Sequence, residues 1–254
     1  MAPRLRSRCR SSRSSAHGTL GGRPQWATPF VSGTVATLTP RTARDRSMRI
    51  LVVGAAGRTG RHVVEVALRH GHEVTALVRE SRLDMSHPGL SIAHGDVTDF
   101  DSIEPIVTGH TAVAFAVSQQ SGGRGVHETG IANVIHAMAV HDVRRLAAVS
   151  AAGAFARSNK ELSIGYRTLI ATTLRHVYDD LEAMERRIMA SDLDWTIVRP
   201  VGLSDAPASG DYRVSMDGAM LSKTSRIARA DVAGFVVKAL ETDAYWRRAV
   251  VIGN

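Results

Sequence analysis

Cysteine is almost missing from this chain. Among 254 residues the only one is Cys9, so the rest holds no disulfide, no thiol nucleophile and no thiolate-ligated metal. Eleven histidines are present, but no two stand in the H-x-x-x-H spacing that sets two imidazoles on one helix face. No metal site is expected. No apolar run reaches the roughly 18 residues of a membrane-spanning helix. No apolar core of about 7–15 residues follows the basic start, as a secretory signal requires. Acid is also missing from the beginning: residues 1–47 hold nine Arg, no Lys and one acid, Asp45. This stretch carries the whole formal charge of +8, since the remaining 23 basic and 23 acidic residues cancel. The basicity is therefore no footprint of a nucleic-acid-binding domain.

The first 47 residues are rich in Arg, Ser, Thr, Gly and Pro without periodicity, a disordered composition. Three readings compete. Translation truly begins at Met48, giving a cytoplasmic protein; or the stretch is an organelle leader; or it is a nucleic-acid-binding arm.

What the chain does have is residues 48–60, Met-Arg-Ile-Leu-Val-Val-Gly-Ala-Ala-Gly-Arg-Thr-Gly. Residues 50–53 are uncharged and β-branched at three of four positions, as in a buried parallel strand. Gly54, Gly57 and Gly60 follow in G-x-x-G-x-x-G spacing, and residues 61–69 place apolar side chains at helical intervals. A dinucleotide pyrophosphate rests on such a helix N-terminus, where unpaired N–H groups and the positive dipole end meet it. A Cβ at Gly54 or Gly57 would hold the backbone off the phosphates, and Gly60 lets the helix close on the strand. Ala56, Arg58 and Thr59 complete this phosphate-binding turn. The alternative is a strand-to-helix turn that binds nothing.

A second strand, 73–78, ends at Arg79, with Arg82 close behind. An acid at that position binds the adenosine ribose 2′-OH and selects NAD; an Arg suits the 2′-phosphate and selects NADP(H). A solvated surface charge is the alternative. A third strand, 90–94, runs into Gly95-Asp96-Val97. There Asp96 is placed to accept from an adenine amino group and Val97 to lie against the ring, unless the tripeptide is a plain Asx turn. Asp99 is expected to cap a helix over 100–107, which Pro105 distorts or ends early.

A fourth strand, 111–117, brings Ala116 and Val117 to its C-terminal edge as cofactor neighbours. The glycine-rich loop 118–125 then either covers a ligand or lies in solvent. Ile131, Val134, Ile135 and Met138 mark a core-facing helix. The fifth strand, 145–149, ends at Ser150. Leu174, Val177, Tyr178, Leu181, Met184 and Ile188 line a long helix ending near Ala190, and a sixth strand, 194–198, leads into Arg199-Pro200-Val201. Residues 211–216 and 220–227 are expected to pair as a hairpin through Asp217-Gly218. Asp231 is expected to cap the last helix, and 249–252 form a terminal strand. Six apolar strands alternating with helices predict an α/β fold, a Rossmann-type doubly wound parallel sheet in one domain over 48–254. Residues 203–228 are the substrate-side elaboration.

The stretch 48–60, Ala76-Leu-Val-Arg79, Gly95-Asp96-Val97 and Ser191-Asp-Leu-Asp-Trp-Thr-Ile-Val-Arg-Pro200 together resemble the atypical short-chain dehydrogenase/reductase group. Within it they are similar to the NmrA-like NAD(P)-binding proteins that include flavin reductase/biliverdin-IXβ reductase. The resemblance covers about residues 48–254. It implies a single Rossmann domain, NADPH, and reduction of a small-molecule acceptor: a flavin, a quinone or a tetrapyrrole.

The chain departs from the wider group at the catalytic end. The Tyr-x-x-x-Lys pair, in which Lys helps Tyr act as general acid, is missing: the fourth residue after Tyr178 is Glu182, and after Tyr166 it is Ile170. Ser150 matches a Ser that the biliverdin-IXβ reductase pattern places after the fifth strand. The match implies a hydrogen-bond donor near the nicotinamide ribose or the acceptor ring; a strand-end cap is the alternative. The His of that pattern is replaced by Val201, which with Pro200 is expected to wall the nicotinamide.

Hydride transfer to a flavin or quinone asks only that the acceptor stack on the nicotinamide away from water. Alcohol oxidation also needs proton removal, so the missing dyad disfavours it. The alternatives to a reductase are an NADP(H)-sensing regulator that does not turn over, and nucleic-acid binding through the tail.

Overall fold

The computed structural model describes residues 47–80, 83–118, 125–154, 174–216 and 226–254, all within the unit Arg41–Asn254. The basic extension, Arg82, residues 119–124 of the glycine-rich loop and the Asp217-Gly218 turn lie outside the described residues. The strands are β1 (Arg49–Val53), β2 (Glu73–Val78), β3 (Leu90–His94), β4 (Ala112–Phe115), β5 (Arg145–Val149), β6 (Asp194–Pro200), β7 (Leu203–Ser204), β8 (Arg213–Ser215), β9 (Ile227–Ala228) and β10 (Arg248–Gly253). The helices are α1 (Gly60–Arg69), α2 (Phe100–Val107), α3 (Val126–Val140), α4 (Arg175–Met189) and α5 (Arg229–Glu241).

Eight strands form one sheet in the order β3-β2-β1-β4-β5-β6-β10-β8. Every pairing in it is parallel except β10 with β8. β1 shows why both faces are covered. Ile50 and Val52 point into a core with Val63, Val64 and Ala67 of α1 and Phe235, Val236 and Leu240 of α5. Leu51 and Val53 point the other way, into a core with Ile103 of α2, Ile131, Val134 and Met138 of α3, and Leu181, Met184 and Ile188 of α4. Alternate residues of a strand face opposite sides, so a wholly apolar β1 needs helices on both. Strand order reverses between β1 and β4, and a doubly wound sheet opens a crevice there, outside the carboxyl ends of the strands.

Residues 217–225 of the expected hairpin lie outside the described residues. β8 pairs antiparallel with β10, Val251 opposite Ser215 and Gly253 opposite Arg213, and Ile227 pairs parallel with Leu203. β10 lies beside β6 on one edge and leaves the other open, and β8 fills that edge. Two expected caps are corrected. Asp231 does not cap α5, which starts two residues earlier behind Ala228. Its buried carboxylate instead accepts from Ser209 N at 3.1 Å and Gly210 N at 2.9 Å, pinning the substrate-side segment to α5. Asp99 stands at the N-cap of α2, but its side chain makes no capping hydrogen bond. Pro105 sits inside α2, which runs two residues beyond it.

Candidate active site

The glycine turn is held against the end of β4. Gly54 adopts φ +82°, a conformation strained for a side chain. A Cβ there would stand 2.7 Å from the carbonyl oxygen of Ala116 and 2.9 Å from Cα of Val117. A Cβ on Gly57 would come within 3.1 Å of the Gly54 carbonyl, and one on Gly60 would collide with that same carbonyl. Gly57 N donates to Gly54 O at 3.0 Å, closing the turn. α1 then begins at Gly60 with no side chain capping it, and Arg61 N donates to Gly57 O at 3.0 Å. Gly54 and Gly57 thus bring bare main chain to the β1–β4 crevice.

A cleft of about 180 Å³, open to solvent, lies there. Gly54, Ala56 and Gly57 form its floor, Arg79 and Glu80 its β2 side, Asp96 and Val97 its β3 side, and Val117, Ser118 and Val126 its β4 side. Seven expected cofactor residues therefore meet in one place: Gly54, Ala56, Gly57, Arg79, Asp96, Val97 and Val117. Glu80, Ser118 and Val126 were missed; they carry no motif and are identified only by the cleft.

At the β2–β3 end Arg79 is half-exposed, with Nη1 3.7 Å from Asp96 Oδ2. The other oxygen of Asp96 accepts from Thr98 N at 2.9 Å and from the Thr98 hydroxyl at 2.7 Å. These two bonds, with the Arg79 guanidinium adding to them, hold the Asp96 carboxyl below the usual carboxylate range. Asp96 is thus an Asx turn that also lines the cleft, so both readings of it describe part of the geometry.

The other expected residues stand apart from this cleft. Thr59 and Gly60 lead into α1, and Ala116 lies behind Gly54. Arg58 ion-pairs with Asp205, which also binds Arg229 Nη1 at 2.6 Å, tying the glycine turn to the substrate-side segment. Ser150 N donates to Val198 O, and Pro200 O accepts from Ala152 N at 3.0 Å. Ser150, Pro200 and Val201 therefore sit at the carboxyl ends of β5 and β6, further along the sheet edge. The Ser150 hydroxyl donates to Glu185 Oε1 at 2.5 Å. Glu185 is fully buried and receives Arg199 Nη2 at 2.5 Å and Nε at 3.1 Å. As a donor Ser150 is committed to Glu185. Nearby on the substrate side, burial and the negative charge of Asp231 push the Tyr212 phenol up, so it keeps its proton at neutral pH.

One His/Glu cluster among the described residues has metal-like spacing: His70, His72 and Glu241. Its hydrogen bonding argues against an ion. Met48 N donates to His72 Nδ1 at 3.2 Å, which leaves the ring proton on Nε2, 3.0 Å from Glu241 Oε1. A metal would need a lone pair at Nε2.

Residues 54–243 match the NAD(P)H-binding family. The chain belongs to it. Among relatives of this NAD(P)H-binding protein, the uncharacterized sugar epimerase YhfK of Bacillus subtilis is 26% identical over 204 residues, covering 76% of this chain and 88% of that one. Two solved structures share its fold. SP1627 of Streptococcus pneumoniae, named as a candidate NADH-flavin reductase, superposes with a TM-score of 0.64 at 23% identity, over 82% of this chain and 100% of that one. A wide-type short-chain dehydrogenase/reductase of Veillonella parvula, in complex with NADP, gives 0.64 at 19% identity, over 82% and 94%. The NAD(P)H-binding match and these neighbours agree with the atypical short-chain dehydrogenase/reductase resemblance. Among the described residues no helix is long and apolar enough to cross a membrane.

Proposed function

We propose that the protein is a cytoplasmic NADPH-dependent reductase whose acceptor is a flavin, a quinone or a related conjugated small molecule. The observation that carries the proposal is the bare main chain at Gly54 and Gly57, pressed against Ala116 and Val117 and open to a cleft that ends at Arg79. A side chain would fill that cradle; a pyrophosphate fits it. Gly54, Gly57 and the first amides of α1 would hold the pyrophosphate. Val97 and Val117 would wall the adenosine, and Arg79 would meet a 2′-phosphate. A bound nicotinamide supplies hydride; the chain supplies binding, orientation and exclusion of water. The sequence lacks Tyr-x-x-x-Lys, and the Ser150 hydroxyl is engaged by Glu185. This favours an acceptor that draws its proton from solvent.

A second reading, an NADP(H)-sensing regulator without turnover, is favoured by that same commitment of Ser150 to Glu185. NADPH oxidation by the purified protein, followed at 340 nm (the absorbance band of reduced nicotinamide) with FMN, a short-chain quinone and biliverdin, separates the two. Turnover with one of these acceptors supports the reductase. Tight NADPH binding with no oxidation supports the sensor. No binding of either nicotinamide nucleotide overturns both.

A further inference from the structure

His127 is a buried, ionisable side chain that this chemistry leaves unused. It is 4% exposed, and Asp180, reaching from α4, is 6% exposed. The Asp180 carboxylate accepts from His127 N at 3.1 Å, from Glu128 N at 2.9 Å and from the ring Nδ1 of His127 at 2.8 Å. The other ring nitrogen, Nε2, stands 3.2 Å from the carbonyl oxygen of Val117. The ring thus stands between two acceptors, the Asp180 carboxylate and the Val117 carbonyl. Glu128, next to His127, pairs with Arg187 of α4 at 3.0 Å, and Asp179, next to Asp180, pairs with Arg175 at 3.5 Å.

The position of this contact matters. Val117 and Val126, one residue before His127, both line the cleft. Cα of Val117 would also stand 2.9 Å from a Cβ on Gly54. A continuous line of contacts therefore runs from buried Asp180 through the buried His127 ring and the Val117 carbonyl to the phosphate turn. We infer that His127, fixed by Asp180, is a positioning residue for cofactor binding: it holds the Val117 wall at the spacing that the nucleotide requires. The inference rests on the nicotinamide-nucleotide reading of the cleft.

Two substitutions separate this role from plain packing. The amide nitrogen of Gln reaches the place of Nε2 and keeps a donor on Val117. The amide nitrogen of Asn reaches only the place of Nδ1, keeping Asp180 and losing Val117. Titration calorimetry with NADPH on the full chain, paired with thermal unfolding, reads the difference. The expected result is a Kd within about threefold of wild type for H127Q and weakened about tenfold for H127N, the loss of the bond to Val117. H127Q, which takes a donor from the buried Asp180 carboxylate, is expected to be the less stable of the two, so weaker binding by H127N is no consequence of lost stability. Equal affinity in the two variants overturns the inference. So does an H127N chain that fails to fold, because the contact would then serve the fold and not the cleft. If the wild type itself takes up no NADPH, the reading of the cleft fails first and the inference with it.

Discussion

Glu185, fully buried on α4, accepts the hydroxyl proton of Ser150 at the end of β5 and the guanidinium of Arg199 on β6. One carboxylate thus joins a helix to two neighbouring strands at the sheet's carboxyl edge. Removing one partner of a buried pair strands the other charge and costs about 3–5 kcal/mol, whereas deleting a single neutral donor costs about 1 kcal/mol. Glu185→Ala is therefore expected to destabilise the protein by about 3 kcal/mol or more, and Ser150→Ala by about 1 kcal/mol. Urea denaturation of the two variants checks the order. A Ser150→Ala loss as large as that of Glu185→Ala would mean the hydroxyl, not Arg199, is the main partner of the carboxylate.

Gly60 and Gly54 make the second test, because their side-chain space is already filled by main chain. A methyl on Gly60 collides with the Gly54 carbonyl, and one on Gly54 meets the Ala116 carbonyl while φ stays at +82°. Backbone cannot swing aside as a side chain can. Gly60→Ala is expected to cost about 2 kcal/mol or more by overpacking, and Gly54→Ala to weaken nucleotide binding beyond its cost in stability. Gly71 provides the control: its φ is also +82°, but nothing lies within 4 Å of its Cβ position. Gly71→Ala should therefore carry only backbone strain, about 1 kcal/mol, and leave nucleotide binding untouched. The measurements are chemical unfolding and NADPH titration on all three.

The proposed preference for a 2′-phosphate rests on Arg79. Its present partner, Asp96, is 3.7 Å away across solvent, a contact worth little, and a dianionic phosphate would displace it. Arg79→Ala is expected to raise the NADPH KM about ten- to a hundredfold and the NADH KM only slightly, as loss of charge-assisted bonds to one ligand implies. Equal effects on the two cofactors would hand discrimination to Glu80, which lines the same cleft and as an acid would favour a ribose 2′-OH.

Local signals made the frame legible. The uncharged run before Gly54 gave β1, the glycine spacing gave the turn, and the buried Ile131, Val134 and Met138 of α3 followed from helical periodicity. What stayed hidden depends on partners far along the chain. Glu185 lies four residues after Leu181 and three before Ile188, on the apolar face of α4, and a charge in that place is itself a signal. Its partners Ser150 and Arg199 lie 35 and 14 residues away, so no local pattern could say what neutralised it. Asp180 and His127, 53 residues apart, are the same case. The pairing of β8 with β10 was hidden because a three-residue strand joins whichever sheet edge stands open, and edges are set by the whole topology.

His110 offers a test of stability against pH. Its Nδ1 donates to the Val107 carbonyl at 3.2 Å, and its Nε2 faces the Thr75 hydroxyl at 2.8 Å, so the neutral ring satisfies both neighbours. Burial pushes its pKa below the ordinary imidazole value; the Val107 carbonyl opposes this, and the charge of Arg49 adds to it. The unfolded chain takes up the proton near pH 6.5 and the folded chain only below that. Above about pH 6.5 both states are neutral here and the site does not affect stability. As pH falls from there toward the folded value, the unfolded state binds more protons and stability declines. Replacing His110 by Gln is expected to leave a shallower fall in Tm between about pH 7 and pH 5 than in the wild type, by the one proton removed from the linkage. Parallel curves for the two proteins would show that His110 titrates alike in the folded and unfolded chain, against the effect of its burial beside α2.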